Sequence, residues 1–172
     1  KGEQWQRALR LAVEMQALSL EPDVITLNCL LSACEKGSQW AWACALLVEM
    51  RSRRRLEPDV ISYSAAISAC EKSHLPMRAM ALLAEMRHHG LEPDGHAHAA
   101  AITACKRAEH WQGALDLLMQ MQSRNLRLDA VVCGAAISAF AAGRQWEFAM
   151  NVLADMQARG LALNVVSVTA AL

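Results

Sequence analysis

Four histidines, His88, His89, His96 and His98, crowd into one short stretch and are the only cluster with metal-ligand chemistry. Zinc needs three or four ligands converging in a tetrahedron. These four straddle a loop and a helix start, so surface or stacking roles suit them better and no metal is expected. The six cysteines form no Cys-x-x-Cys pair, the spacing that zinc and redox sites use. Cys34, Cys70 and Cys105 instead return at a nearly fixed interval, as small buried packing residues do, which suggests free thiols in a reducing compartment. No Gly-rich phosphate loop, His-Glu-x-x-His helix or nucleophile elbow occurs. Neither an enzyme nor a resident cofactor is expected. Seventeen Lys plus Arg balance seventeen Asp plus Glu, so the basic excess of a general polyanion binder is missing. A nucleic-acid site would have to be a local stripe. Arg51, Arg53, Arg54 and Arg55 make a basic run in a turn, suited to a phosphate chain or an acidic partner, although such runs are more often solvated loop.

The elements that must position these residues repeat along the chain. "LEPDVIT" at Leu20–Thr26 returns as "LEPDVIS" at Leu56–Ser62 and "LEPDGHA" at Leu91–Ala97. "LLSACEKGSQW" at Leu30–Trp40 returns as "AISACEKSHLP", "AITACKRAEHW" and "AISAFAAGRQW". From Met86 to Met121 to Met156 each step is 35 residues, and one extra residue sits in the arginine-rich turn between Met50 and Met86. The units expected are 24–59, 60–94, 95–129 and 130–164. Residues 1–23 form the second helix of an earlier unit and 165–172 the start of a later one.

Each unit contains two amphipathic stretches. In the first, Leu27, Leu30, Leu31 and Cys34 fall at helical spacing, and beyond a Gly-containing break so do Ala43, Leu46, Leu47 and Met50. The Pro of each Glu-Pro-Asp stops the preceding helix. The Asp after it is an N-cap for the following one, and Gly90 and Gly160 stand where a helix end favours a left-handed residue. Trp5, Trp40, Trp111 and Trp146 recur early in the second helix, a phase that points to packing between units. The composition is 54% hydrophobic but only 5% aromatic, with abundant Ala, Leu and Met, so helix is favoured over sheet. Two short helices cannot bury both stripes alone, so units must stack. The fold class expected is all-α: an α-solenoid of helix–turn–helix repeats forming a right-handed superhelix, with the first helices inside. No apolar run reaches membrane-spanning length.

The 35-residue period, the Val-Ile-Thr-type opening, the Lys after the first helix, the Ala, Leu and Met stripe in the second and the closing Pro-Asp together resemble the pentatricopeptide repeat family. A tetratricopeptide unit would have a 34-residue period and a signature absent here. The resemblance implies a sequence-selective single-stranded RNA binder that reads one base per unit. It would act in organellar RNA processing, stability or translation, in plastid or mitochondrion. It further implies that the fifth and last residues of a unit read the base edge: Asn28 with Asp59 as a uracil pair, and Ser64 with Asp94 as a guanine pair. Ala99 with Asp129 and Gly134 with Asn164 depart from the pattern. The second residues, Ile25, Ile61, His96, Val131 and Val166, would pack on base faces. Lys36, Lys72 and Arg107 would lie near phosphates, whereas the fourth unit has Ala142 there. The family's editing and nuclease activities reside in appended domains, and none is visible in this sequence. The alternative is a protein–protein scaffold subunit of a larger organellar assembly. Zero net charge, Ala99, Gly134 and Ala142 favour that reading.

Overall fold

The computed structural model describes residues 4–18, 20, 22–52, 56–126 and 128–161. Among them nine α-helices follow one another: α1 (Gln4–Ala17), α2 (Val24–Lys36), α3 (Trp40–Ser52), α4 (Val60–Lys72), α5 (Pro76–His88), α6 (Gly95–Arg107), α7 (Trp111–Ser123), α8 (Ala130–Ala142) and α9 (Trp146–Ala158). Arg53–Arg55, Asn164, Val166 and the segment 165–172 lie outside the described residues.

Local chemistry sets the start of each even-numbered helix. The carboxylates of Asp23, Asp59, Asp94 and Asp129 accept from the backbone N–H three residues on, at 2.7, 2.8, 2.8 and 2.8 Å. Each satisfies one of the amides that a helix N-terminus leaves bare. Gly90 and Gly160 end their helices at φ 74° and 66°, as their positions suggested. The turn inside each unit behaves differently. Its left-handed residues are Ser38, His74, Glu109 and Arg144, while the neighbouring Gly37 and Gly143 have ordinary negative φ. Those two glycines serve close approach instead: a Cβ on either would lie 2.7 Å from Cγ of Trp5 or of Trp111. The tryptophan of one unit thus packs on the turn of the next.

Side-chain size then decides the architecture. The first helices α2, α4, α6 and α8 pack side by side, and each second helix lies against the first helices of its own and the following unit. Fully buried alanines at 66, 69, 101, 104, 136 and 139 let the first helices approach closely. The second helices contribute larger groups, with Met50, Met86, Met121 and Met156 buried at one phase. The closer-packed layer lies on the inside of the curve, so the first helices line the concave face. Cys34, Cys70 and Cys105 are fully buried, and Phe140 fills that place in the last unit. The described cysteines are free thiols. Burying one methionine contributes about 1.5–3 kcal/mol, so the stack is held by many similar increments. Among the described residues no helix is long and apolar enough to cross a membrane.

The junctions are not equivalent. Buried Tyr63 on α4 donates its hydroxyl to Glu85 of α5 at 3.1 Å, and Glu85 also pairs with Arg51 of α3. One unit on, the same three places hold His98, Gln120 and Arg87. There His98 Nε2, Gln120 Oε1 and Arg87 Nε are buried without a hydrogen-bond partner among the described residues. His98 is fully buried, with Nδ1 at 2.9 Å from the Asp94 carbonyl. It therefore takes neither of the surface and stacking roles expected for the histidine cluster. His89 stacks at 6.5 Å on Tyr63, and His88 meets it edge-on.

Candidate functional site

The concave face presents the fifth residue of each first helix next to the aspartate that caps the following one. In the first unit this brings a polar group together across a long stretch of chain. Asn28 Nδ2 donates to both carboxylate oxygens of Asp59, at 3.4 and 3.3 Å. The Ser62 hydroxyl donates to Asn28 Oδ1 at 2.6 Å and lies 2.9 Å from Asp59 Oδ1. Asp59 also caps α4 through a reciprocal box with Ser62. One carboxylate therefore closes a helix and fixes the orientation of the Asn28 amide, leaving the amide edge as a shaped donor–acceptor surface.

The second unit lacks this tie. Asp94 caps α6 at Ala97, and the buried Ser64 hydroxyl makes no hydrogen bond among the described residues. In the third and fourth units Ala99 and Gly134 offer only their carbonyls, which accept from Thr103 and Ser138 at 2.8 Å. The polar set thus thins along the array.

Beside these positions stand apolar side chains with no core to enter. Ile25, Ile61 and Val131 are 73%, 65% and 68% exposed, and His96 in the third unit is exposed as well. Such residues at the second position of α2, α4 and α8 make a row of exposed aliphatic ledges suited to planar ligands. At the far ends of the first helices stand the cations. Lys72 Nζ is 2.8 Å from Glu35, and Arg107 is 3.3 Å from Glu71, each pair crossing from one unit to the next. Lys36 is exposed and has no ion pair among the described residues.

Sequence reasoning passed over Ser62, Glu35 and Glu71. Ser62 is the third residue of its unit, a place read as helix start. Glu35 and Glu71 stood in the repeated "ACEK" phrase. The visible signal was an acid directly before Lys36 and before Lys72, and a stacked register carries it onto the next unit's cation. Among the described residues no three His, Cys, Asp or Glu side chains gather as a metal set.

Fold and site together define a helical-pair solenoid with a polar and apolar ledge on its inner face. Family profiles agree with this class. The PPR repeat family matches residues 22–72, the pentatricopeptide repeat domain 116–172, and the PPR repeat 61–91 and 100–126. The chain belongs to the pentatricopeptide repeat family. No curated protein sequence matches it significantly. Among solved structures it is similar to the pentatricopeptide repeat protein PPR10 from maize, at 24% identity and a TM-score of 0.73, over 99% of this chain and 24% of that one. PPR10 in complex with an 18-nt psaJ RNA element gives 24% identity and 0.79, over 98% and 25%. The PPR domain of Arabidopsis thaliana protein-only RNase P 1, in complex with tRNA, gives 13% and 0.82, over 95% and 86%. The chain spans about a quarter of the length of PPR10. At these identities the likeness is one of fold.

Proposed function

We propose that this chain is a sequence-selective single-stranded RNA-binding solenoid, acting in organellar RNA processing, stability or translation in plastid or mitochondrion. The observation that carries the reading is the Asn28–Asp59–Ser62 set on the concave face, flanked by the exposed Ile25 and Ile61. A base entering there meets a fixed amide edge and is gripped between aliphatic side chains. The RNA-bound PPR10 and tRNA-bound RNase P 1 structures are consistent with that use of the fold. The repeat units run 24–59, 60–94, 95–129 and 130–164. Asn28 with Asp59 reads uracil, and Ser64 with Asp94 reads guanine. Ile25, Ile61, His96 and Val131 pack on base faces, and Lys36, Lys72 and Arg107 lie on the phosphate side. The mechanism is passive: bound RNA is shielded or presented.

Selection from a random RNA pool with the full-length protein tests this reading. The expected enrichment is 5′-UG-3′, shifting towards UU in Ser64→Asn. A mismatched edge leaves buried polar groups unpaired, at a cost of about 1–3 kcal/mol. Identical enrichment by both proteins removes the base assignment. The internal pairing of Lys72 and Arg107 favours one competitor, a scaffold subunit. Copurification of protein subunits without RNA is that competitor's result.

A further inference from the structure

One junction of the stack sets two thiols against each other. Cys44 on α3, the second helix of the first unit, and Cys70 on α4, the first helix of the second, are hydrogen-bonded through their side chains. The neighbouring junctions show that these two places meet by construction. One unit on they are held by Met80 and Cys105, and a Cβ on Gly113 would lie 2.9 Å from Met80 Sδ and 3.0 Å from Cys105 Sγ. One unit further they are held by Leu115 and Phe140, which line the same groove. At the place of Cys44 the other second helices carry Leu9, Met80, Leu115 and Met150. Cys34 and Cys105 stand where Cys70 does in their own units, but the place opposite holds Leu9 or Met80. Among the described residues, only Cys70 is matched with a second thiol.

The two sulfurs differ in access. Cys70 is fully buried, whereas Cys44 is half-buried. The hydrogen bond from Cys70 lowers the Cys44 thiol to about 7 against the cost of burial, and the charges of Arg78 and Arg51 assist while that of Glu85 opposes. Cys44 is thus partly thiolate at neutral pH, the form that attacks oxidants. Packing does not call for this arrangement, since a leucine or methionine fills the same place in every other second helix. An accessible, activated thiol backed by a buried one is the layout of an attacking and a resolving cysteine.

We propose that Cys44 and Cys70 form a reversible disulfide on exposure to a hydroperoxide, locking the first unit to the second. The Cys44 thiolate attacks a peroxide oxygen, the O–O bond breaks, and hydroxide leaves a sulfenic acid on Cys44. The Cys70 sulfur then displaces that hydroxyl, which departs as water with the Cys70 proton. With hydrogen peroxide the net products are one disulfide and two waters, the two thiols having given up two electrons. A dithiol reductant returns the electrons and protons by exchange. Bonding brings the sulfurs closer than a hydrogen bond holds them, which draws α3 onto α4. The lock falls at the junction whose concave side carries the Asn28–Asp59–Ser62 set, but it is independent of what that face binds.

The test is a brief pulse of hydrogen peroxide on the native full-length protein, then alkylation, trypsin digestion without reductant and mass measurement. Cleavage after Lys36, Arg51, Arg55 and Lys72 leaves Cys44 in peptide 37–51 and Cys70 in peptide 56–72, each with a single cysteine. The expected product is these two peptides linked with the loss of two hydrogens, returning to separate peptides after dithiothreitol. In Cys70→Ala, the Cys44 sulfenic acid should persist and be trapped by dimedone, and in Cys44→Ala the Cys70 peptide should stay unoxidised. Hydrogen exchange of α3 and α4 should slow in the oxidised protein, while α7 and α8, joined through Leu115 and Phe140, keep their rates. Oxidation of Cys44 in the unaltered protein without linkage to Cys70 overturns the proposal. So does linkage of either residue to another cysteine, or six free thiols after excess peroxide. A linked pair with unchanged exchange in α3 and α4 overturns the lock.

Discussion

Asn28 and Asp59 lie at opposite ends of one repeat unit, yet the amide of the first donates to the carboxylate of the second at 3.3 Å. Asp59 at the same time caps α4 at Ser62. Stability and recognition are thus coupled through one carboxylate, and Asp94 provides the contrast, since it caps a helix without touching Ser64.

Asp59→Ala is therefore expected to cost more than Asp94→Ala. Each loses a cap, worth about 1 kcal/mol. Only the first also strands the Asn28 amide, for about 1 kcal/mol more. Urea denaturation of both variants measures the difference, and Asn28→Ala placed on Asp59→Ala should recover part of it. Equal losses would show that the Asn28 contact is energetically idle.

The unsatisfied junction at His98 predicts acid sensitivity. Burial, and then the charges of Arg87 and Arg124, depress the His98 imidazole below its ordinary 6.5, against an opposing contribution from Asp94. The unfolded chain therefore takes up the proton first. The stabilising contribution of neutral His98 is complete above the unfolded value and is lost as pH falls through the folded one. Denaturation midpoints should drop on acidification from about pH 7.5 to about pH 5.5, the range that histidine titration covers. Gln120→Glu puts a carboxylate beside both His98 and Arg87. It should shrink that drop and add about 1 kcal/mol at neutral pH.

Gly143→Ala is expected to destabilise by about 1–3 kcal/mol, because the new methyl overpacks a filled site. It would lie 2.8 Å from Trp111 Cβ, an atom tied to its own backbone, and the indole is stacked on Phe148 at 6.1 Å. Thermal or urea unfolding gives the value. Trp111→Phe in the same chain should recover part of the loss.

The thiols should separate by reactivity. A hydrogen bond from Cys70 lowers the Cys44 thiol below its ordinary value, while Cys70 moves up. Burial pushes Cys34, Cys105 and Cys133 up to about 11. Iodoacetamide at neutral pH should label Cys44 well before these three, because the thiolate is the nucleophile. Peptide mass mapping over a time course checks the order, and Cys70→Ser should alter the Cys44 rate most.

The repeat, its helices and their caps were legible in the sequence because they are local. A Pro-Asp dipeptide stops one helix and caps the next within a few residues, and the buried phase of Leu, Cys and Met follows from helical spacing alone. Asn28 and Asp59 were found for another reason: they hold recognisable places in a resembling family's unit. Stacking decided the rest. That Ser62 completes the Asn28 set and that Glu35 and Glu71 occupy the next unit's cations both depend on which residues of neighbouring units come level. The same register turns Tyr63, Glu85 and Arg51 into a satisfied group and leaves His98 Nε2, Gln120 Oε1 and Arg87 Nε without hydrogen-bond partners among the described residues. A linear pattern records what each unit carries. The side-by-side packing of α2, α4, α6 and α8 determines which charge meets which, because ion pairs and hydrogen bonds act over a few ångströms and the chain brings those residues together only across a whole repeat.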